Sequence, residues 1–144
     1  MRTLSEIKSG IKEIAADVTG IGKVYDRFLY AFDTKQVKDF FSKDGVVNAL
    51  MFRETERTSD GGEGITNELG VKRLWQFRLI YGYSYENNSE DNFDNLCEGL
   101  CMKFNSENCF NTIHRSSFMN ITGRYDSEYH GILVHNAEME METS

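Results

Sequence analysis

Four groupings of side chains in this sequence have residue types that do chemistry elsewhere, and each competes with a plainer reading. Gly20-Ile21-Gly22-Lys23 has the texture of a phosphate-binding loop, in which backbone N–H groups and a lysine cradle phosphates ahead of a Ser or Thr that holds magnesium. The first glycine of that pattern would fall on Asp17, and the hydroxyl position holds Val24. These residues are therefore expected to end a helix and turn the chain. Cys97 and Cys101, with Cys109 and His114 downstream, have the donor types of a zinc site. Structural zinc usually draws on two matching ligand pairs carried by loops, whereas both cysteines fall on the apolar stripe of a helix. They are expected to be small core residues, bound to neither metal nor disulfide.

His114, His130 and His135 are bases without a nucleophile motif such as G-x-S-x-G, so no hydrolytic triad is expected. The aromatic row from Trp75 to Tyr85 has side chains that stack on nucleobases in other proteins, but that use needs flanking basic residues. Glu86, Glu90, Asp91 and Asp94 follow instead, and the row is assigned to a core. No catalytic, cofactor-binding or metal-ligating residue is expected.

Charge narrows the partners further. The formal net charge is −7, and nucleic-acid affinity rests largely on Lys and Arg displacing counterions, so free DNA is not an expected ligand. From Tyr125 to Ser144 there is no Lys or Arg, while Asp126, Glu128, Glu138, Glu140 and Glu142 fall there. Glu138, Glu140 and Glu142 alternate with Met139 and Met141, so buried methionines would make the three carboxylates project from one face. That strip reads either as a solvated strand edge guarded against unwanted pairing or as the lining of a pore. No apolar stretch approaches the ~20 residues of a membrane helix, and a soluble, unsecreted protein with reduced thiols is expected.

The elements that must position these groups centre on Val71 to Phe104. Trp75, Phe77, Leu79, Tyr81, Tyr83 and Tyr85 occupy every second position, the period of a strand with one apolar face. Glu86 to Ser89 supply turn and cap chemistry, and Phe93, Leu96, Cys97, Leu100, Cys101 and Phe104 recur at helical spacing. Upstream, Thr3-Leu4-Ser5-Glu6 fits a capping box before a helix from about Leu4 to Thr19. Lys23 to Arg27 is expected as a short strand, and Asp33 as the cap of a short helix carrying Val37, Phe40 and Phe41. Val46 to Thr58 reads as a strand with Val47, Ala49 and Met51 on one face. Ser59 to Gly70 is a glycine-rich loop, expected to be mobile and to order only at a contact with another subunit. Ser59, Asp60, Gly61, Gly62, Glu63 and Gly64 are the candidate assembly residues. Ile113 to Thr122 and Tyr129 to Thr143 complete the pattern, turned at Asp126-Ser127. The expected fold is α+β over residues 1–144 as one domain, a mainly antiparallel sheet of about four to five strands with helices packed on it, in the order α-β-α-β-β-α-β-β.

Three segments together resemble a family: the leading helix LSEIKSGIKEIAADVTGIGKVYDR, the strand and helix WQFRLIYGYS and NSEDNFDNLCEGLCMKF, and the closing GILVHNAEMEMET. Their order and texture are similar to those of the tail terminator, or tail-completion, proteins of long-tailed bacteriophages. The resemblance implies a structural virion protein, assembled in the host cytoplasm, that forms a ring, usually of six copies (a hexamer), on the head-proximal end of the tail tube. It implies the tail tube protein and head-tail connector or neck proteins as partners, passage of genomic DNA without specific binding, no membrane and no enzymatic activity. The alternatives are a small acidic intracellular binding or adaptor protein acting on a basic partner, and another phage neck or tail-tube protein.

Overall fold

In the computed structural model, which describes residues 2–59 and 71–144, Thr3 caps the first helix by the reciprocal bonding its spacing predicts. The Thr3 hydroxyl accepts from the Glu6 N–H at 3.2 Å, and the Glu6 carboxylate accepts from the Thr3 N–H at 3.1 Å. Helix α1 runs over Leu4–Ala16 and buries Ile7, Ile11 and Ile14. It stops short of Thr19 because the Asp17 N–H turns back to the Ile14 and Ala15 carbonyls, tightening the last turn. A short strand β1, Lys23–Tyr25, follows. Asp33 then caps α2, Thr34–Phe41, with its carboxylate accepting from the Gln36 N–H at 2.8 Å.

Strands β2 (Ser42–Lys43), β3 (Val46–Ser59) and β4 (Val71–Gly82) come next. Helix α3, Ser89–Asn105, and a single 3-10 helix, Glu107–Asn111, lead to β5 (Asn120–Tyr129) and β6 (Ile132–Thr143). The sheet order is β1-β3-β4-β6-β5, with β2 lying against the start of β3. All pairings are antiparallel except β1 with β3. The α+β class and the helices packed on a mainly antiparallel sheet are as expected. The six strands exceed the expected four to five because Ser42 and Lys43 form an additional short pair with Val47 and Val46.

The aromatic row does what its period requires, within limits. Trp75, Phe77 and Leu79 are buried on the central strand, meeting Phe93, Leu96, Leu100 and Phe104 of α3. The row leaves the strand at Gly82, however, and Tyr85 is 86% exposed. The apolar stripe of α3 is otherwise as read, with Cys97 buried and Cys101 partly so.

Two expectations are corrected, and a third is extended. Val47, Ala49 and Met51 share one face of β3 as expected, but Leu50 and Phe52 are buried too, on the opposite face. The first half of β3 is sandwiched: Leu50 and Phe52 join the core under α1 and α3, and Ala49 and Met51 join a second core with Val37 and Phe41 of α2. Runs buried on both faces lose the alternation that marks a one-sided strand. The last hairpin turns at His130-Gly131 rather than Asp126-Ser127, and residues 113–119 are not a strand. Both turn residues have positive φ, 50° and 84°, the two-residue geometry whose twist matches that of the flanking strands. Glycine accepts such a φ without strain, which is why the turn settles there. Finally, β6 is an interior strand with β4 on one side and β5 on the other, so the acidic strip is not a sheet edge.

The expected assembly loop, Asp60, Gly61, Gly62, Glu63 and Gly64 through Gly70, lies outside the described residues. Ser59 is the last residue of β3, opposite Val71. No helix among the described residues is long and apolar enough to cross a membrane.

Candidate functional site

The open face of the sheet presents Glu138, Glu140 and Glu142. Met139 and Met141 are buried with Ala137 under the helices, and the pleat of β6 therefore sends the three carboxylates to the opposite side. Helix α2 covers that side only at the end where Val134 and Ile80 lie. Beyond it, Arg78 stands directly opposite Glu138, Gln76 opposite Glu140 and Leu74 opposite Glu142. Arg78 forms no ion pair with Glu138 among the described residues: its Nη2 donates to the Asn136 side-chain oxygen at 3.2 Å, and its buried Nε has no partner. Glu140 is exposed, while Glu138 and Glu142 are half-buried. The Ser116 hydroxyl donates to Glu142 at 2.8 Å, and the Ser117 hydroxyl accepts from the Glu142 N–H at 2.8 Å, fastening the 113–119 segment to β6.

At the distal half of the β3–β4 hairpin the charges pair instead. Arg73, nearly buried, donates to Glu54 at 2.7 Å, and Arg57 donates to the other Glu54 oxygen at 2.8 Å. Burial acts to raise the Glu54 carboxyl, but the hydrogen bonds from Arg73 and Arg57 outweigh it and hold the group below its ordinary value of 4.5. Because the folded value is depressed, the stabilisation is present above the ordinary carboxylate value and is lost as pH falls through the folded one. Glu54→Gln is expected to cost about 1.5–3 kcal/mol at neutral pH, since it leaves Arg73 without its charge partner. Urea unfolding at pH 7 and pH 3 checks this: the gap between parent and variant should narrow at the lower pH.

One constellation was invisible in the chain order. Ser89 Oγ lies 3.0 Å from His135 Nε2, and His135 Nδ1 lies 2.7 Å from Asp126 Oδ1, the spacing of a serine hydrolase triad. The three residues come from the start of α3, from β6 and from β5. Asp126 reaches its position because the hairpin turns four residues later than its own sequence signal suggested. The surroundings decide what the group does. The Ser84 N–H donates to Ser89 Oγ at 2.8 Å, and the Ser89 hydroxyl is 3.0 Å from the Ser84 carbonyl oxygen, to which it donates. Ser89 is 4% exposed and His135 1% exposed. The His135 ring is stacked on Phe93, with centroids 5.2 Å apart, and lies 4.8 Å from the Tyr83 ring. A nucleophile must be reachable by its substrate, and the burial of Ser89 and His135 closes this oxygen off from solvent. The constellation acts as a brace that ties the Ser84–Ser89 turn to the sheet.

The other residues singled out in the sequence are dispersed. Gly20 to Gly22 lie between α1 and β1, and Lys23 opens β1 with its Nζ donating to the Asp39 carbonyl at 2.8 Å. The three cysteines are free thiols. Burial pushes the Cys97 thiol up to about 12 and raises Cys101 and Cys109 as well, which keeps them protonated and poor ligands or nucleophiles near neutrality. His114 lies in the segment after the 3-10 helix against Phe110, and His130 sits in the β5–β6 turn. Compared with known proteins, the chain matches no family model and no curated sequence.

Proposed function

We propose that this chain is a structural assembly protein that joins copies of itself into a ring, closes the head-proximal end of a phage tail tube and presents a surface to the neck. The observation that carries this reading is the division of the sheet: helices α1 and α3 bank against one face, and Glu138, Glu140 and Glu142 stand together on the other. Repeated around a ring with the helices outward, that face makes a band of negative charge. Such a band repels phosphate and keeps a passing duplex from sticking, whereas cations there would trap it through counterion release. The resemblance of the three quoted segments to tail terminators gives the ring its place in a particle.

Size exclusion with mass measurement tests the assembly. A ring, or an oligomer that grows with concentration, is expected; a strict monomer that captures a basic partner would turn the reading to a small acidic binding protein. Electron microscopy of tails made with and without the protein tests its place, with overlong tubes expected in its absence. Substituting Glu138, Glu140 and Glu142 together by Lys is expected to leave rings intact and give them salt-sensitive affinity for duplex DNA. Rings of the triple variant that bind no DNA at low salt would remove the strip from a lumen.

A further inference from the structure

The sheet has backbone to spare at both flanks. Strand β5 pairs with β6 along one side only, so among the described residues the outward N–H and C=O groups of Asn120–Tyr129 meet no strand. At the other flank, β1 covers β3 only at Ala49–Met51 and β2 only at Val46 and Val47, which leaves Phe52–Ser59 without a strand on its outer side among the described residues. Such an edge is a template for one kind of ligand, another extended chain. Edges that must stay single are guarded by charges, Pro, bulges or a covering element. Asn120–Tyr129 has Arg124, Asp126 and Glu128 and an irregularity at Ile121–Gly123 but no Lys or Pro, and it exposes Ile121 and Tyr125, so its charges have to be matched by whatever chain pairs with it.

Strand direction identifies the partner. From β3 through β4 and β6 to β5, every neighbour is antiparallel, so the two free flanks run in opposite directions. Copies related by rotation about an axis along the strands therefore bring β5 of one against β3 of the next in the antiparallel sense, the more stable ladder. An interface between two different edges of the same subunit is heterologous, the kind that closes into rings.

Charge then selects a register. Allowing for the irregularities between Glu54 and Glu56 and between Ile121 and Gly123, the face under the helices carries Phe52, Glu54 and Arg57 on β3. On β5 the same face carries Ile121, Arg124 and Asp126. Placing Glu54 opposite Arg124 puts Arg57 beside Ile121 and, on the other face, Thr58 opposite Asn120. A shift of two residues one way sets Glu54 against Asp126 and Arg57 against Arg124, like charges in both cases. A shift the other way removes the ion pair and shortens the ladder. Arg124 already lies against Asp94 and Glu90, and Glu54 against Arg73 and Arg57, so the junction joins two existing ion-pair groups into one.

We propose that copies of this chain join edge to edge, β5 of one pairing antiparallel with Phe52–Ser59 of the next, with Glu54 opposite Arg124 and Thr58 opposite Asn120. The proposal rests on the ring reading above and names the surface that builds it. Its test is the full-length double variant Thr58→Cys with Asn120→Cys, both at exposed positions, oxidised at a concentration where the parent is assembled. Directly opposed residues lie within the reach of about 4.4–6.8 Å that a disulfide needs between Cα atoms. The expected result is a ladder of covalent multimers on non-reducing gels that collapses with reductant and is absent from either single variant. The parent supplies a second readout: amides of Asn120–Tyr129 should exchange at least about tenfold more slowly in the oligomer than in diluted monomer. A ring by mass with no ladder and no added protection overturns the edge pairing and leaves the ring reading standing. Added protection without the Thr58–Asn120 ladder overturns the register alone, and a monomer at every concentration overturns the ring and the pairing together.

Discussion

Trp75→Ala is expected to lower unfolding stability by ~3–5 kcal/mol, the cost of deleting a large buried side chain together with the cavity it leaves. Trp75 is fully buried on the central strand, with its ring edge-on to Phe52 at 5.9 Å. Its indole N–H donates to the Thr143 hydroxyl at 2.8 Å, so the substitution also strands a buried hydroxyl near the end of β6. Because β4 pairs with both β3 and β6, a void there is felt by three strands. Urea unfolding followed by circular dichroism checks the size of the effect. A variant as stable as the parent, but defective in assembly, would move Trp75 from the core to an interface.

Gly22→Ala is the second large effect. The Gly22 backbone passes so close to β3 that a Cβ there would lie 1.9 Å from the Asn48 carbonyl oxygen and 2.6 Å from its carbon. Neither atom is the end of a flexible side chain, so β1 must move away from β3. That displacement breaks the parallel register of Lys23 with Ala49 and of Tyr25 with Met51, and the bond from the Asn48 amide to the Gly20 carbonyl at 2.8 Å. Overpacking of this kind costs at least about 1–3 kcal/mol. Stability and the exchange rates of the Val24 and Tyr25 amides are the measurements. A loss smaller than about 0.5 kcal/mol, the range of an ordinary surface change, would show that the two backbones separate freely.

Gly22 also shows how a residue can be read correctly in outline and missed in its reason. The Gly20 to Lys23 stretch was expected to end a helix and turn the chain; the helix ends earlier, at the Asp17 cap, Gly20 falls in the turn that follows, and the demand on Gly22 comes from a strand 26 residues further on. The same division runs through the functional surfaces. Glu138, Glu140 and Glu142 were legible as a co-facing set because strand periodicity depends only on neighbours in the chain. Whether that strand lay inside the sheet or at its edge depended on how β5 paired, and the Asp126-Ser127 turn signal pointed to the wrong place. Asp and Ser stand in many turns, but the His130-Gly131 pair satisfies a two-residue turn of positive φ, and the ten-residue strand it closes outweighs a local preference.

What the sequence determined by itself is therefore short-range. The Thr3–Glu6 and Asp33–Gln36 caps, the alternation of Trp75, Phe77 and Leu79, and the stripe from Phe93 to Phe104 each follow from groups within a few residues of one another. They suffice for an α+β fold with helices banked on a mainly antiparallel sheet. The tertiary structure alone decided the rest: the second core behind Ala49 and Met51, the brace of Ser89, His135 and Asp126, and the two sheet flanks left without a strand. Each of these depends on which strands become neighbours. That choice is made by burying both faces of β3 and the central face of β4 at once, through contacts between residues tens of positions apart, and no local period or cap encodes it.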